Sequence, residues 1–205
     1  MPPRILAYLS LMLLLSGCSW IPFDIPFIGE STEHVQQVKK NKTSPVRPHS
    51  VSPEARKHLD EARKYWTDSG ECVDPENAAA LLDKAIEADP LDPTPYLLRS
   101  RALSDLGYLN DAFQDATKAI RLAPTAEAYA TRGLICLKQH QPNGARRDFE
   151  YAEKLDPDEP LLYVYRAAAS FLEDRKGDAC DDLEKACELG LCYPWETAKQ
   201  NKVCR

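Results

Sequence analysis

The sequence predicts an all-α fold, a solenoid of stacked helical hairpins closed by a short capping helix. Tyr96, Tyr129 and Tyr163 open segments that start 33 and 34 residues apart. Pro90, Pro124 and Pro157 close segments 34 and 33 residues apart. A fixed period of this length is the mark of a repeat architecture. Small residues recur inside each period: Ser100, Gly133 and Ala167 in the first half, Ala112, Ala145 and Ala179 in the second. Small side chains let antiparallel helices approach closely. A lone hairpin cannot bury its apolar face, so stacking supplies the core.

The units follow in order. A first helix over Pro53 to Trp66 leads into a long loop, Thr67 to Glu76, that holds Gly70 and Cys72. Its second helix carries Ala78, Leu81, Leu82, Ala85 and Ile86 at helical spacing and stops at Asp89-Pro90. The next unit runs from Tyr96 past Gly107, Ala112, Asp115 and Ala119 to Pro124. Another runs from Tyr129 past Ala145, Asp148, Phe149 and Ala152 to Pro157. The last runs from Tyr163 past Ala179, Asp182, Leu183 and Ala186, with Gly190-Leu191 where the closing proline would stand. Proline after each second helix cannot continue it and sets the turn to the next unit. Pro194 then starts a short helix, Trp195 to Lys202, expected to cap the stack.

This pattern of aromatic, small residue, glycine turn, two alanines and proline resembles the tetratricopeptide repeat, over roughly Glu54 to Leu189. The resemblance implies a non-enzymatic scaffold that holds a partner along the face lined by the first helices. Carried across, the family's groove positions are Leu97, Arg101 and Ser104, then Ala130, Leu134 and Leu137, then Val164, Ala168 and Phe171. Arg99, Arg132 and Arg166 recur at one motif position, and Asp115, Asp148 and Asp182 at another. Two readings stand for them. Each arginine bonds an aspartate of its own or an adjacent repeat, forming a ladder. Alternatively the arginine row binds a small anion or glycan, which would make the chain a periplasmic receptor.

The N-terminal segment reads as a targeting signal. Arg4 precedes an apolar run, Ile5 to Leu15, too short for a membrane-spanning helix of about 20 residues. It ends Leu15-Ser16-Gly17-Cys18, which resembles the lipobox of bacterial lipoproteins. The resemblance implies removal of a signal peptide, residues 1–17, and acylation of Cys18 with palmitate-type chains that anchor the protein stably. Ser19 leans toward the outer membrane, periplasmic face, over the inner membrane. Residues 18–50 form the tether and 51–205 the repeat domain. Within the tether, Trp20 to Ile28 is apolar and broken by Pro22 and Pro26. It either lies in the lipid headgroup zone, is captured by a partner, or packs on the repeats.

A net charge of -6 offers no electrostatic footprint for nucleic acid. Envelope proteins or peptide segments are the expected partners, with the membrane reached through the lipid anchor. Catalytic signals are absent: His34, His49, His58 and His140 are scattered, and no G-x-S-x-G, P-loop or H-E-x-x-H occurs. No cofactor is implied.

Besides Cys18, the cysteines are Cys72, Cys136, Cys180, Cys187, Cys192 and Cys204. No C-x-x-C occurs and no histidine lies near the C-terminal four, which argues against zinc. An oxidising envelope favours disulfides. If the capping helix runs back antiparallel beside the last repeat helix, Cys187 meets Cys192 across the turn and Cys204 comes level with Cys180. Cys180 and Cys187 cannot pair within one helix, because seven residues at 1.5 Å rise separate them by about 10 Å, beyond the roughly 7 Å that a bridge spans. Cys136 falls at a core position, and Cys72 lies in the long loop, free or intermolecular.

Overall fold

A computed structural model describes residues 50–67 and 70–204. Among them are nine helices and no strand: α1 (Pro53–Arg63), α2 (Pro75–Ala88), α3 (Pro93–Asp105), α4 (Leu109–Leu122), α5 (Ala126–Lys138), α6 (Pro142–Leu155), α7 (Pro160–Leu172), α8 (Lys176–Glu188) and α9 (Tyr193–Gln200). The first eight form four antiparallel hairpins, and α9 packs on α8. No helix among the described residues is long and apolar enough to cross a membrane. Residues 1–17, Cys18 and all but the last residue of the 18–50 tether lie outside the described residues.

The two helices of the last three repeats start differently, whereas in the first repeat Asp74 caps α2 by accepting from the Asn77 amide. Side chains cap every odd-numbered repeat helix: Ser52 accepts from the Ala55 amide, Asp92 from Thr94, Thr125 from Ala128 and Glu159 from Leu161. Each such cap is worth about 1 kcal/mol. Helices α4, α6 and α8 have no side-chain cap. They follow tight turns in which the preceding helix ends on a left-handed residue: Gly107 (φ 84°), His140 (φ 59°) and Asp174 (φ 56°). The amide after each left-handed residue reaches back five positions, Tyr108 to Leu103, Gln141 to Cys136 and Arg175 to Ser170, at 2.8–2.9 Å. This is the Schellman closure. Glycine fits it best, yet only one of the three turns has glycine.

The alanines of the repeat pattern form the core. Ala78, Ala85, Ala112, Ala119, Ala145, Ala152, Ala179 and Ala186 are all buried, with Leu82, Ile135 and Leu162 the largest aliphatic side chains enclosed between them. The opening tyrosines tie neighbouring segments together. The Tyr96 hydroxyl donates to the Pro90 carbonyl at 3.3 Å and the Tyr163 hydroxyl to the Pro157 carbonyl at 2.7 Å.

Two boundaries differ from the sequence expectation. The capping helix is Tyr193–Gln200, not Trp195 to Lys202. Pro194 is accommodated in the first turn, where its missing amide costs nothing, and Lys202 takes a left-handed conformation (φ 57°) that stops the helix. The first helix ends at Arg63, short of Trp66. Trp66 instead pairs with Cys72 in an antiparallel bridge.

Candidate functional site

The odd-numbered helices α3, α5 and α7 lie side by side, α3 against α5 and α5 against α7. Their shared face is where the groove positions were expected. The structure divides them. Arg101, Leu134, Val164, Ala168 and Phe171 are half-buried and line the face. Leu97, Ser104, Ala130 and Leu137 are corrected to core positions, with at most 9% of their surface exposed. Leu97 packs with Ala119 and Ala128, and Ala130 and Leu137 with Phe149 and Leu162. Adjacent helices close over these side chains, so a partner cannot reach them. Phe171 is also committed in part, packed in the cluster that holds Ala198 of α9. Beyond it, Leu172 stands 75% exposed.

The long loop of the first repeat is a small tongue laid on this face. Thr67 donates its amide to the Glu71 carbonyl, and Val73 donates to the Tyr65 carbonyl. Arg101 of α3 pins it: Nη2 donates to the Gly70 carbonyl at 2.9 Å, and the guanidinium sits 5.9 Å from the Trp66 ring centroid. Gly70 is left-handed at φ 83°. Its lack of a side chain brings the carbonyl to the guanidinium without strain. Arg101 also lies 3.6 Å from Glu127 of α5. Cys72 is half-buried in the tongue, and burial pushes its thiol up against the lowering effect of an Asp74 backbone hydrogen bond. Farther along the face, Lys138 donates to Asp105 at 3.1 Å and to the Ser104 carbonyl at 3.2 Å. Burial likewise raises the Tyr165 phenol, opposed by Arg101 and reinforced by Glu127, Asp105 and Glu159.

The arginine row is a ladder. Arg99 grips Asp115 with Nε and Nη2 at 2.6 and 2.8 Å, and Nη1 reaches Asp83 of the preceding repeat at 2.6 Å. Arg132 grips Asp148 at 2.8 and 2.7 Å and reaches Thr117 at 3.4 Å. Arg166 grips Asp182 and reaches Glu153 at 3.0 Å. Each arginine thus joins the second helix of its own repeat to the second helix of the repeat before. Bonds to Asp115 and Asp182 hold Arg99 and Arg166 well above the ordinary arginine range. The anion-receptor reading is corrected here, because both edges of every guanidinium are already filled.

Cys180 is joined to Cys204 and Cys187 to Cys192, with Cα atoms 5.6 and 3.9 Å apart. These are the pairs that the antiparallel capping helix requires. Closing the longer loop adds roughly 3 kcal/mol and the shorter roughly 2 kcal/mol on the chain-entropy view. Cys136 is buried, its Sγ facing Gly144. Among the described residues no group of histidine, cysteine, aspartate and glutamate could hold a metal ion.

A second part of the face escaped the sequence reading. Where the first turns of α3, α5 and α7 meet the ends of α4 and α6, a cleft of about 340 Å³ opens, with Leu97, Ala119 and Ala126 at its base and Glu127, Asp156 and Glu159 at its rim. The acidic run Asp156-Pro157-Asp158-Glu159-Pro160 is its one sequence signal.

Comparison with known proteins places the repeats. The tetratricopeptide repeat family matches residues 93–125 and 126–159. Tetratricopeptide repeat protein 13 of Homo sapiens is 30% identical over 105 residues, 51% of this chain and 12% of that protein. Hsc70-interacting protein 1 of Drosophila melanogaster is 37% identical over 95 residues, 45% of this chain and 25% of that protein. The chain therefore spans a quarter or less of the length of these relatives. Among solved structures, a thermophilic TPR protein of Thermus thermophilus superposes with a TM-score of 0.57 at 18% identity, over 66% of this chain and 74% of that one. At that identity the likeness is one of fold.

Proposed function

We propose that this chain, whose residues 93–159 match the tetratricopeptide repeat family, is a docking scaffold, holding a peptide segment of another protein along α3, α5 and α7. One observation carries the reading. Leu134, Val164 and Ala168 form a half-buried row on adjacent first helices, ending at the exposed Leu172. A row of this kind presents apolar surface to a ligand without being needed to close the core.

The partners we infer are envelope proteins, and the scaffold is held at a membrane by acylated Cys18, at the periplasmic face of the outer membrane. The support is the Leu15-Ser16-Gly17-Cys18 motif after its apolar run. Expressed in a bacterial host, the chain is expected to incorporate labelled palmitate, and Cys18→Ala to abolish it. Equal labelling of the variant would remove the anchor.

Leu134→Glu is the test of the docking face. A photoreactive residue at Leu134 is expected to yield discrete crosslinked adducts in cells, whereas the same residue at Glu150, exposed on α6, yields none. In the Leu134→Glu background a probe at Ala168 is expected to lose those adducts, while the far-ultraviolet dichroism stays helical. Adducts from Glu150 equal to those from Leu134 would place docking elsewhere.

A further inference from the structure

The cleft at the N-terminal edge of α3, α5 and α7 has an apolar base and an acidic rim, and nothing in the docking reading assigns its chemistry. We propose that it receives a lysine or arginine side chain of the docked peptide, so that the scaffold selects basic segments. The proposal rests on the docking reading and names its partner class.

The cleft is about 340 Å³, at the small end of the roughly 300–1,000 Å³ typical of ligand clefts, which suits one long side chain. Long basic side chains bury their methylene stem and keep the charged head at a polar edge. The half-buried Pro93, Thr94 and Ala123 of its lining would take the stem, and the carboxylates of Asp156 and Glu159 would meet the head.

The cations of this face are already matched: Arg101 by Glu127 and the Gly70 carbonyl, Lys138 by Asp105. Two rim carboxylates are not. Asp156 accepts the Asp158 amide at 3.1 Å and Glu159 the Leu161 amide at 3.1 Å. Among the described residues no lysine or arginine lies within ion-pair distance of either. The rim is thus left with an excess of negative charge. An acidic segment would meet like charge there and be rejected.

Burial raises Glu159 above the ordinary glutamate range, and Glu127 and Asp156 add to the rise, outweighing the Leu161 amide and the charge of Arg101, which favour the anion. A cation seated at the rim relieves that cost.

The test is selection of random peptides displayed on phage by the immobilised full chain, wild type against a variant carrying Asp156→Asn and Glu159→Gln. Both changes keep the oxygen that accepts the local amide, and helical dichroism checks the fold. Wild type is expected to enrich peptides with lysine or arginine over aspartate or glutamate, and the variant to lose that bias. A synthetic peptide of the enriched sequence is expected to bind the variant roughly fivefold more weakly at low salt. Enrichment of acidic peptides, enrichment without charge bias, or a basic bias that persists in the variant would each overturn the proposal and leave the docking reading standing. Failure of wild type to enrich any sequence would count against both. A dimer of the full chain dissolved by the same two substitutions would seat a second copy in the cleft and overturn the peptide assignment.

Discussion

Asp148→Ala is expected to lower the stability of the repeat domain by about 3 kcal/mol, the cost of leaving a buried charge without its partner. Asp148 is buried, and it grips Arg132 through two bonds at 2.7 and 2.8 Å. The Arg132 side chain is four-fifths shielded, its guanidinium near the rings of Phe113 and Tyr129. It cannot turn to water without opening the packing between repeats. Arg132→Ala removes the charge and those ring contacts together. The pair should therefore be strongly non-additive, and replacing Arg132 with Met and Asp148 with Leu in one chain should restore much of the loss, since a hydrophobic pair of similar volume avoids desolvation. Urea denaturation of the two single variants and the double variant measures this. An Asp148→Ala loss below about 1 kcal/mol, the level of an exposed pair, would show the ladder to be ornamental.

Gly133→Val is expected to cost a similar amount, about 3 kcal/mol, the upper end for overpacking a tight core. A Cβ at Gly133 would lie 2.5 Å from Cε1 and 2.9 Å from Cδ1 of Phe149. That ring is buried, so it cannot swing aside cheaply. The pairing has a logic that the other repeats share. The residue sixteen positions on is Ala116 behind Ser100, Phe149 behind Gly133 and Leu183 behind Ala167. Where the partner is largest, the facing residue has no side chain. Shortening the partner should then relieve the clash: Phe149→Ala, destabilising alone by roughly 3 to 5 kcal/mol, should add little once Gly133 is valine. Thermal and urea midpoints of the cycle decide it. Additive losses would mean that Phe149 and Gly133 do not share one space.

The repeats were legible because their physics is local. Periodic small residues, the recurring proline and the sixteen-residue spacing of arginine to aspartate each record a contact within one hairpin or between neighbours. The cysteine pairs were legible for the same reason, since a short antiparallel return fixes which sulfurs meet. The groove was legible only in part. A motif position states which way a residue points from its helix, but not how closely the next first helix approaches. Leu97, Ala130 and Leu137 point toward the face and are covered by their neighbours. Arg101 was read as an open groove residue, yet it is spent on Gly70, 31 residues away. The tongue is an insertion relative to the repeat, so no motif position described it. The acidic rim was missed because Asp156 and Glu159 lie in a linker between units, where the repeat pattern assigns only the proline.

The ladder has a consequence for how binding specificity can change. Helical residues two positions apart are separated by about 200° around the axis. Arg99, Arg132 and Arg166 therefore project away from Arg101, Leu134 and Ala168, which follow each of them by two positions. The arginine ladder and the row proposed for docking occupy opposite sides of the same three helices, although Arg101 and Lys138 also tie neighbouring repeats together on the docking side. Recognition positions can be rewritten, by drift or by design, while the fastening side is left intact. On the docking reading, the chain is a frame with an exchangeable reading surface.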